Sequence, residues 1–270
     1  MTDTSSDVAI PVFEVDLGAP VGAWFTGRPS AAEQPAVGRA GNLSHRRPHE
    51  PVRLAAARRS VCERIGVDVD ALHHMRQVHG ASIGVIDEDT PMGAELRDVD
   101  ALVTSMVGRA LVVQVADCVP VLLASSEGAV AAVHAGRRGV HSGVVEAALD
   151  ALASAGVPAT TITGVVGPAI GGCCYEVPAE LRDEIAADRP EAASETTWGT
   201  PSLDLPRAVS TTLERAGVSV VDADASCTRC DPEGRWFSHR ADPDAGRQVG
   251  IVVRLAPNGD GGQDRGVQAP

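Results

Sequence analysis

The sequence predicts a mixed α/β or α+β chain folded as one domain, and three observations carry that expectation. Short β-rich apolar runs outnumber segments with helical periodicity. Strands and helices do not alternate regularly, which argues against a doubly wound sheet or a (β/α)8 barrel. No repeat and no long linker divides residues 8–255. A chain of 270 residues buries roughly three quarters of its unfolded surface and holds a core without disulfides.

In chain order, β-rich runs fall at residues 8–17 and 23–26. Residues 31–50 read as loop, with Pro29, Pro35, Gly38, Gly41 and Pro48 in or beside the stretch. A helix fits residues 51–65, and strands fit 74–78, 82–87, 101–104, 111–116, 119–124 and 130–133. Residues 138–155 read as one helix, because Val140, Val144, Ala147, Ala148 and Leu152 form an apolar stripe. Gly156 closes it as a C-cap. Strands follow at 161–166, 219–222, 236–238 and 248–255, with helices at 178–187 and 205–216. Residues 1–7 and 256–270 read as disordered; the tail is rich in Gly and Pro and has little to bury.

Composition excludes several classes. At 44 % apolar and 22 % charged, the chain is neither collagen, coiled coil nor wholly disordered. Asp and Glu number 36 against 23 basic residues, a formal charge of −13, so a nucleic-acid partner is not expected. Every basic residue is Arg, which excludes Schiff-base lysine chemistry and a P-loop lysine. Aromatics at 3 % supply no base-stacking platform. The longest apolar stretch, residues 110–124, is broken by Gln114 and Asp117 and is too short to span a membrane. Residues 1–7 are polar and lack a basic residue, unlike a signal peptide. Six cysteines in that context point to a reducing compartment, and a cytoplasmic monomer is expected.

Three motifs share one placement. RQVHG (76–80), VVQVADC (112–118) and AAVHAG (131–136) set His79, Asp117–Cys118 and His134 just past apolar β runs. Strand ends are where ligand sites collect, because a rigid sheet holds the loops there. Two imidazoles and one thiolate are zinc ligand types, and three protein ligands leave a fourth tetrahedral position open. The separations of 39 and 16 residues match no short zinc signature. Spacing alone therefore leaves three unconnected polar residues as an alternative.

Other motifs carry less. His45 and His49 sit in the polar loop, and His239 beside Arg240 reads as a surface pair or an anion site. Gly167, Gly171 and Gly172 mark a turn-rich run that is neither a GxGxxG nor a P-loop. Cys227 and Cys230 form a lone C-x-x-C. Cys173 and Cys174 are not expected to complete a metal site with it, because neighbouring residues rarely share one ion. A core or loop role is expected for Cys230.

Taken together, RQVHG, ADCVPVLLA, AVHAGRRG, GPAIGGCCYEV, SLDL and CT…WFSHRAD…GRQVGIV occur in one order. The chain resembles the YfiH-type family, also named multicopper polyphenol oxidoreductase or laccase-domain proteins, over about residues 10–255. Its members are described as purine nucleoside phosphorylases with adenosine deaminase activity, and others as peptidoglycan-editing factors. The resemblance implies a single layered α/β/β/α domain over 8–255 with mixed sheets. It implies Zn2+ held by His79, Cys118 and His134.

Departures from the family pattern place Arg137 where Trp is usual, Ala169 for Cys, and His239 and Ala241 in the F-S-Y-R-R-D segment. Arg138 matches the usual basic position.

The expected function is zinc-dependent phosphorolysis of purine nucleosides, with phosphate as co-substrate and adenosine deamination as a further activity. Cys118, Asp117 and His134 are the candidate catalytic residues. Asn42, Arg58, Gln77, Arg138 and Arg240 are the candidate substrate contacts. Copper oxidase chemistry is not expected, since eight histidines include no H-x-H pair. The rivals are a peptidoglycan-editing or other Cys–His hydrolase with Cys118 as nucleophile, and a non-catalytic zinc-stabilised interaction module.

Overall fold

The computed structural model describes residues 9–256 apart from 19, 31–39, 48 and 224–225. The expectations for residues 1–7 and for the tail beyond 256 lie outside the described residues.

The chain opens with strands β1 (Val12–Glu14) and β2 (Val21–Thr26), then helix α1 (Pro51–Ile65). It continues through β3 (Leu72–Arg76), β4 (Ile83–Val85), β5 (Glu95–Arg97), β6 (Ala101–Thr104), β7 (Ala110–Val115), β8 (Val119–Ser125) and β9 (Val130–Ala135). Helices α2 (Arg137–His141) and α3 (Val144–Ser154) lead to β10 (Ile162–Val166), α4 (Ala179–Asp188), β11 (Ala193–Glu195) and β12 (Pro201–Leu203). Helix α5 (Leu205–Arg215), β13 (Ser219–Val221) and β14 (Gln248–Arg254) complete it.

Two six-stranded mixed sheets form, ordered β1-β2-β14-β7-β3-β5 and β13-β10-β8-β9-β6-β4. They pack face to face, and alternation along each strand sorts side chains between layers. On β8, Leu122 and Ala124 enter the inter-sheet core with Phe25, Leu111, Val113, Val115 and Val252 of the first sheet. Val119, Val121 and Leu123 face the other way, against Val144, Val145, Ala148 and Leu152 of α3 and Val209 and Leu213 of α5. On the outer face of the first sheet, Val112, Ile251 and Val253 meet Val61 and Cys62 of α1. The layers are therefore α/β/β/α, as the resemblance implies. Central strands are buried on both faces, which is why they read as continuous apolar runs.

Local chemistry explains the departures from expectation. The helix expected over 138–155 is two helices, because Gly143 adopts φ +79° and redirects the chain between α2 and α3. Residues 236–238 are not a strand. The buried Gln248 amide satisfies Phe237 instead, its Oε1 accepting from the Phe237 N–H at 2.8 Å. The three-residue strands β5, β11 and β12 are too short to carry a period.

Candidate metal centre

The two sheets meet at one edge where three connections converge. His79 follows β3 of the first sheet, and His134 lies on β9 of the second. Cys118 sits in the turn by which the chain crosses from β7 to β8, between the sheets. His134 is thus inside its strand rather than past it. Even-numbered neighbours Val130 and Ala132 face the inter-sheet core, so His134 points to that side at the sheet's rim.

Donor atoms of His79, Cys118 and His134 all lie within 4.8 Å of one another. His79 Nε2 is 3.6 Å from Cys118 Sγ, and the two imidazole rings stand 4.7 Å apart at 80°. A tetrahedral ion with Zn–S near 2.3 Å and Zn–N near 2.05 Å sets sulfur and nitrogen about 3.6 Å apart. Gly136 completes the cradle. A Cβ there would lie 2.6 Å from His79 Cδ2, 3.3 Å from Cys118 Sγ and 3.5 Å from His134 Cε1. The donor set and its spacing fit a metal ion, with His79 exposed on the open side.

Backbone strain concentrates here. Among the described residues, three non-glycine residues adopt positive φ, and two of them are His79 (+62°) and Asp117 (+84°). Such conformations persist only where surrounding contacts over-determine them.

Asp100 supplies those contacts for His79, and sequence reasoning missed it. Its fully buried carboxylate accepts from the N–H groups of Val78 (3.2 Å), His79 (2.9 Å) and Gly80 (2.7 Å). It also bonds His134 Nδ1 at 2.8 Å, which leaves Nε2 for an ion, the arrangement that orients metal-ligating imidazoles. Burial works against its charge, but the His134 bond and the Gly80 and His79 N–H groups hold its carboxyl below the usual range. In the sequence Asp100 is one acid among many, directly before an apolar strand.

Burial likewise opposes a Cys118 thiolate, yet the charge and hydrogen bonds of His134 and His79 bring the thiol down to about 6. His134 moves the opposite way, raised to about 9, because Cys118 and Asp100 outweigh its desolvation. Both shifts favour a thiolate on Cys118 beside a protonated His134 when no ion is bound.

The expected substrate contacts fare unevenly. Asp117 is fully engaged: Oδ1 accepts from the Thr228 hydroxyl and Oδ2 from the Arg240 N–H, both at 2.6 Å. These two bonds tie the Thr228 and Arg240 loops to the turn that carries Cys118. Gln77 ties β3 to β7 through Gln114 O (2.8 Å) and Gln114 N (2.9 Å). Asn42 is buried and braces Ser44 and Arg247. Arg58 donates to Leu43 O at 3.0 Å. All three side chains make hydrogen bonds within the framework.

Arg138 is exposed, whereas Arg137 is half-buried, and its charge acts on the hydroxyl of Tyr175. Of the two, Arg137 rather than Arg138 lies toward Tyr175. Helix α2 starts at Arg137, and one residue further on turns the side chain about 100° away. Arg240 stacks over the Tyr175 ring at 5.2 Å and donates to Glu176 O at 3.2 Å. Burial raises the Tyr175 hydroxyl's pKa despite both guanidinium groups. Tyr175, the chain's one tyrosine, was missed.

Against expectation, Cys173 and Cys174 gather with the C-x-x-C pair. Cys230 is exposed on a turn, the loop position among the roles expected for it. Its sulfur joins those of Cys173, Cys174 and Cys227 within 4.8 Å.

A family profile described as multi-copper polyphenol oxidoreductase laccase matches residues 22–255. The chain belongs to that family. It is 45 % identical over 205 residues to a purine nucleoside phosphorylase of Streptomyces coelicolor, covering 75 % of this chain and 83 % of that protein. It is 30 % identical over 224 residues to adenosine deaminase RL5 from an unknown prokaryotic organism, covering 76 % of this chain and 83 % of that protein. The crystal structure of YlmD from Geobacillus stearothermophilus is similar with a TM-score of 0.79 and 27 % identity, over 88 % of this chain and 93 % of that chain.

Proposed function

We propose that this protein is a zinc-dependent purine nucleoside phosphorylase whose centre is His79, Cys118 and His134. The carrying observation is the convergence of these three donors within 4.8 Å, with His79 Nε2 3.6 Å from Cys118 Sγ, beside the cationic pair Arg137 and Arg240 on Tyr175. The Streptomyces coelicolor relative's name supports the substrate class. Zinc is favoured over copper because only one group containing histidine gathers among the described residues, too few imidazoles for a multinuclear copper site.

In the reaction, a phosphate oxygen attacks C1′ of the ribose. The C1′–N9 bond breaks, the purine leaves with its electron pair and takes up a proton, and ribose 1-phosphate remains. Arg137 and Arg240 bind the phosphate oxyanions by charge-assisted hydrogen bonds. His79, Cys118 and His134 hold the ion, which when bound supplies a Lewis acid for charge developing in the transition state. Asp100 fixes the His134 imidazole and the backbone that carries His79. Asp117 positions Thr228 and the Arg240 backbone.

A second activity, deamination of adenosine, is favoured by the relative named adenosine deaminase. A cytoplasmic site of action is supported by the six free cysteines. Among the described residues no helix is long and apolar enough to cross a membrane.

His79→Ala, Cys118→Ala and His134→Ala are each expected to lower bound zinc and abolish turnover to similar extents, since residues acting as a unit lose function non-additively. Two variants retaining full zinc and full activity would overturn the shared centre. Retained activity in metal-free protein, with a trapped Cys118 adduct, would assign the thiolate–imidazolium pair to a hydrolase instead.

A further inference from the structure

Two turns beyond the candidate centre bring four thiols together. Cys173 and Cys174 follow Gly171 and Gly172, in a turn where the Cys174 and Tyr175 N–H groups both donate to Gly171 O at 3.0 Å. Cys227 and Cys230 span a second turn, closed by Asp231 N–H to Cys227 O at 2.9 Å. The four Sγ atoms lie within 4.8 Å of one another, as a group separate from His79, Cys118 and His134.

We propose that Cys173, Cys174, Cys227 and Cys230 form a second, structural zinc site. Four sulfurs on an ion with Zn–S near 2.3 Å stand about 3.8 Å apart. Cys173 Sγ and Cys230 Sγ are 3.7 Å apart, far beyond a disulfide bond of about 2.05 Å, and all four cysteines are free. Adjacent cysteines share the site because they lie on a tight turn, not on a strand that would send them to opposite faces.

Outer contacts match the assignment. Gly171 N–H donates to Cys227 Sγ at 3.3 Å, and a Cβ at Gly171 would crowd Cys173 Sγ at 3.3 Å. Arg229 donates to Cys174 O at 3.2 Å, and Thr228 N–H to Ala169 O at 3.0 Å. A groove lined by Gly171, Gly172, Cys173 and Cys227 gives an ion its path from solvent. Soft thiolate donors select zinc-class ions, and four protein ligands leave no open position, so the site is structural.

Its place gives it a use. Tyr175 directly follows Cys174, and Thr228, which bonds Asp117 at 2.6 Å, directly follows Cys227. An ion here pins both turns that frame the first centre without touching its ligands.

The test uses the full chain purified under reducing conditions with zinc, and does not depend on activity. The variant His79→Ala with His134→Ala is expected to retain one equivalent of zinc by elemental analysis. Adding Cys173→Ser and Cys230→Ser is expected to remove it. Cobalt exchanged into the His79→Ala/His134→Ala variant is expected to give intense thiolate-to-metal absorption. In wild-type protein, mass spectrometry should find the four thiols protected from alkylation until a chelator is added, which keeps the test valid if a serine variant fails to fold. No zinc in the His79→Ala/His134→Ala variant, or free alkylation of zinc-loaded wild type, would overturn the site. Recovery of the four sulfurs as two disulfides from reduced, zinc-supplemented cells would overturn it too.

Discussion

Replacing Gly136 with alanine isolates the steric fit of the centre. Gly136 has φ −72° and ψ 162°, a conformation open to any residue, so the backbone accepts the change. The added Cβ would lie 2.6 Å from His79 Cδ2, against an ordinary carbon contact of about 3.5 Å. His79 is exposed and gives way first, by about 1 Å. Metal–ligand distances tolerate only about 0.2 Å. Metal affinity is therefore expected to fall about 10–100-fold, and turnover on the order of 100-fold. Stability should hardly change. Alanine restricts the unfolded chain, a gain of about 0.4–1 kcal/mol, and is a poorer N-cap than glycine by a similar amount. The assays are chelator competition for zinc, initial rates, and thermal unfolding of metal-free protein. Wild-type affinity and turnover in Gly136→Ala would refute the cradle. A loss of several kcal/mol of stability would refute the claim that the effect is local.

Three further outcomes are expected. Asp100→Asn removes the buried charge and presents an amide to donors, so stability should fall by about 2–4 kcal/mol and zinc affinity about 10–100-fold, measured by denaturation and chelator competition. In metal-free protein, alkylation of Cys118 should be half-maximal near pH 6; the lowered thiol stays reactive above that pH and loses reactivity below it. His134→Ala should move that midpoint upward, because burial is then less opposed. Arg137→Ala should raise the KM for phosphate more than that for nucleoside, and Arg138→Ala should do less, read from initial rates at varied phosphate.

The sequence exposed the ligand types but not their meeting. His79, Cys118 and His134 stand 39 and 16 residues apart because they come from two different sheets and the crossing between them, a relation no local spacing encodes. The ordered motifs supplied it through resemblance. Asp100 was invisible because its role is to bond backbone N–H groups from a distant turn. The family pattern favoured Arg138 over Arg137, but the first residue of α2 is the one whose charge acts on Tyr175. The cysteine cluster was not expected because neighbouring residues rarely share one ion, whereas the tight turn after Gly171 and Gly172 lets Cys173 and Cys174 do so. Periodicity found α1 to the residue and missed the break at Gly143, where a positive φ overrides a continuous apolar stripe.

The central claim is tested most directly by base release from adenosine or inosine, followed by chromatography on zinc-loaded protein with and without phosphate. Release is expected to require phosphate, with ribose 1-phosphate formed in equal amount to free base. Base release that ignores phosphate, with free ribose as product, would contradict it.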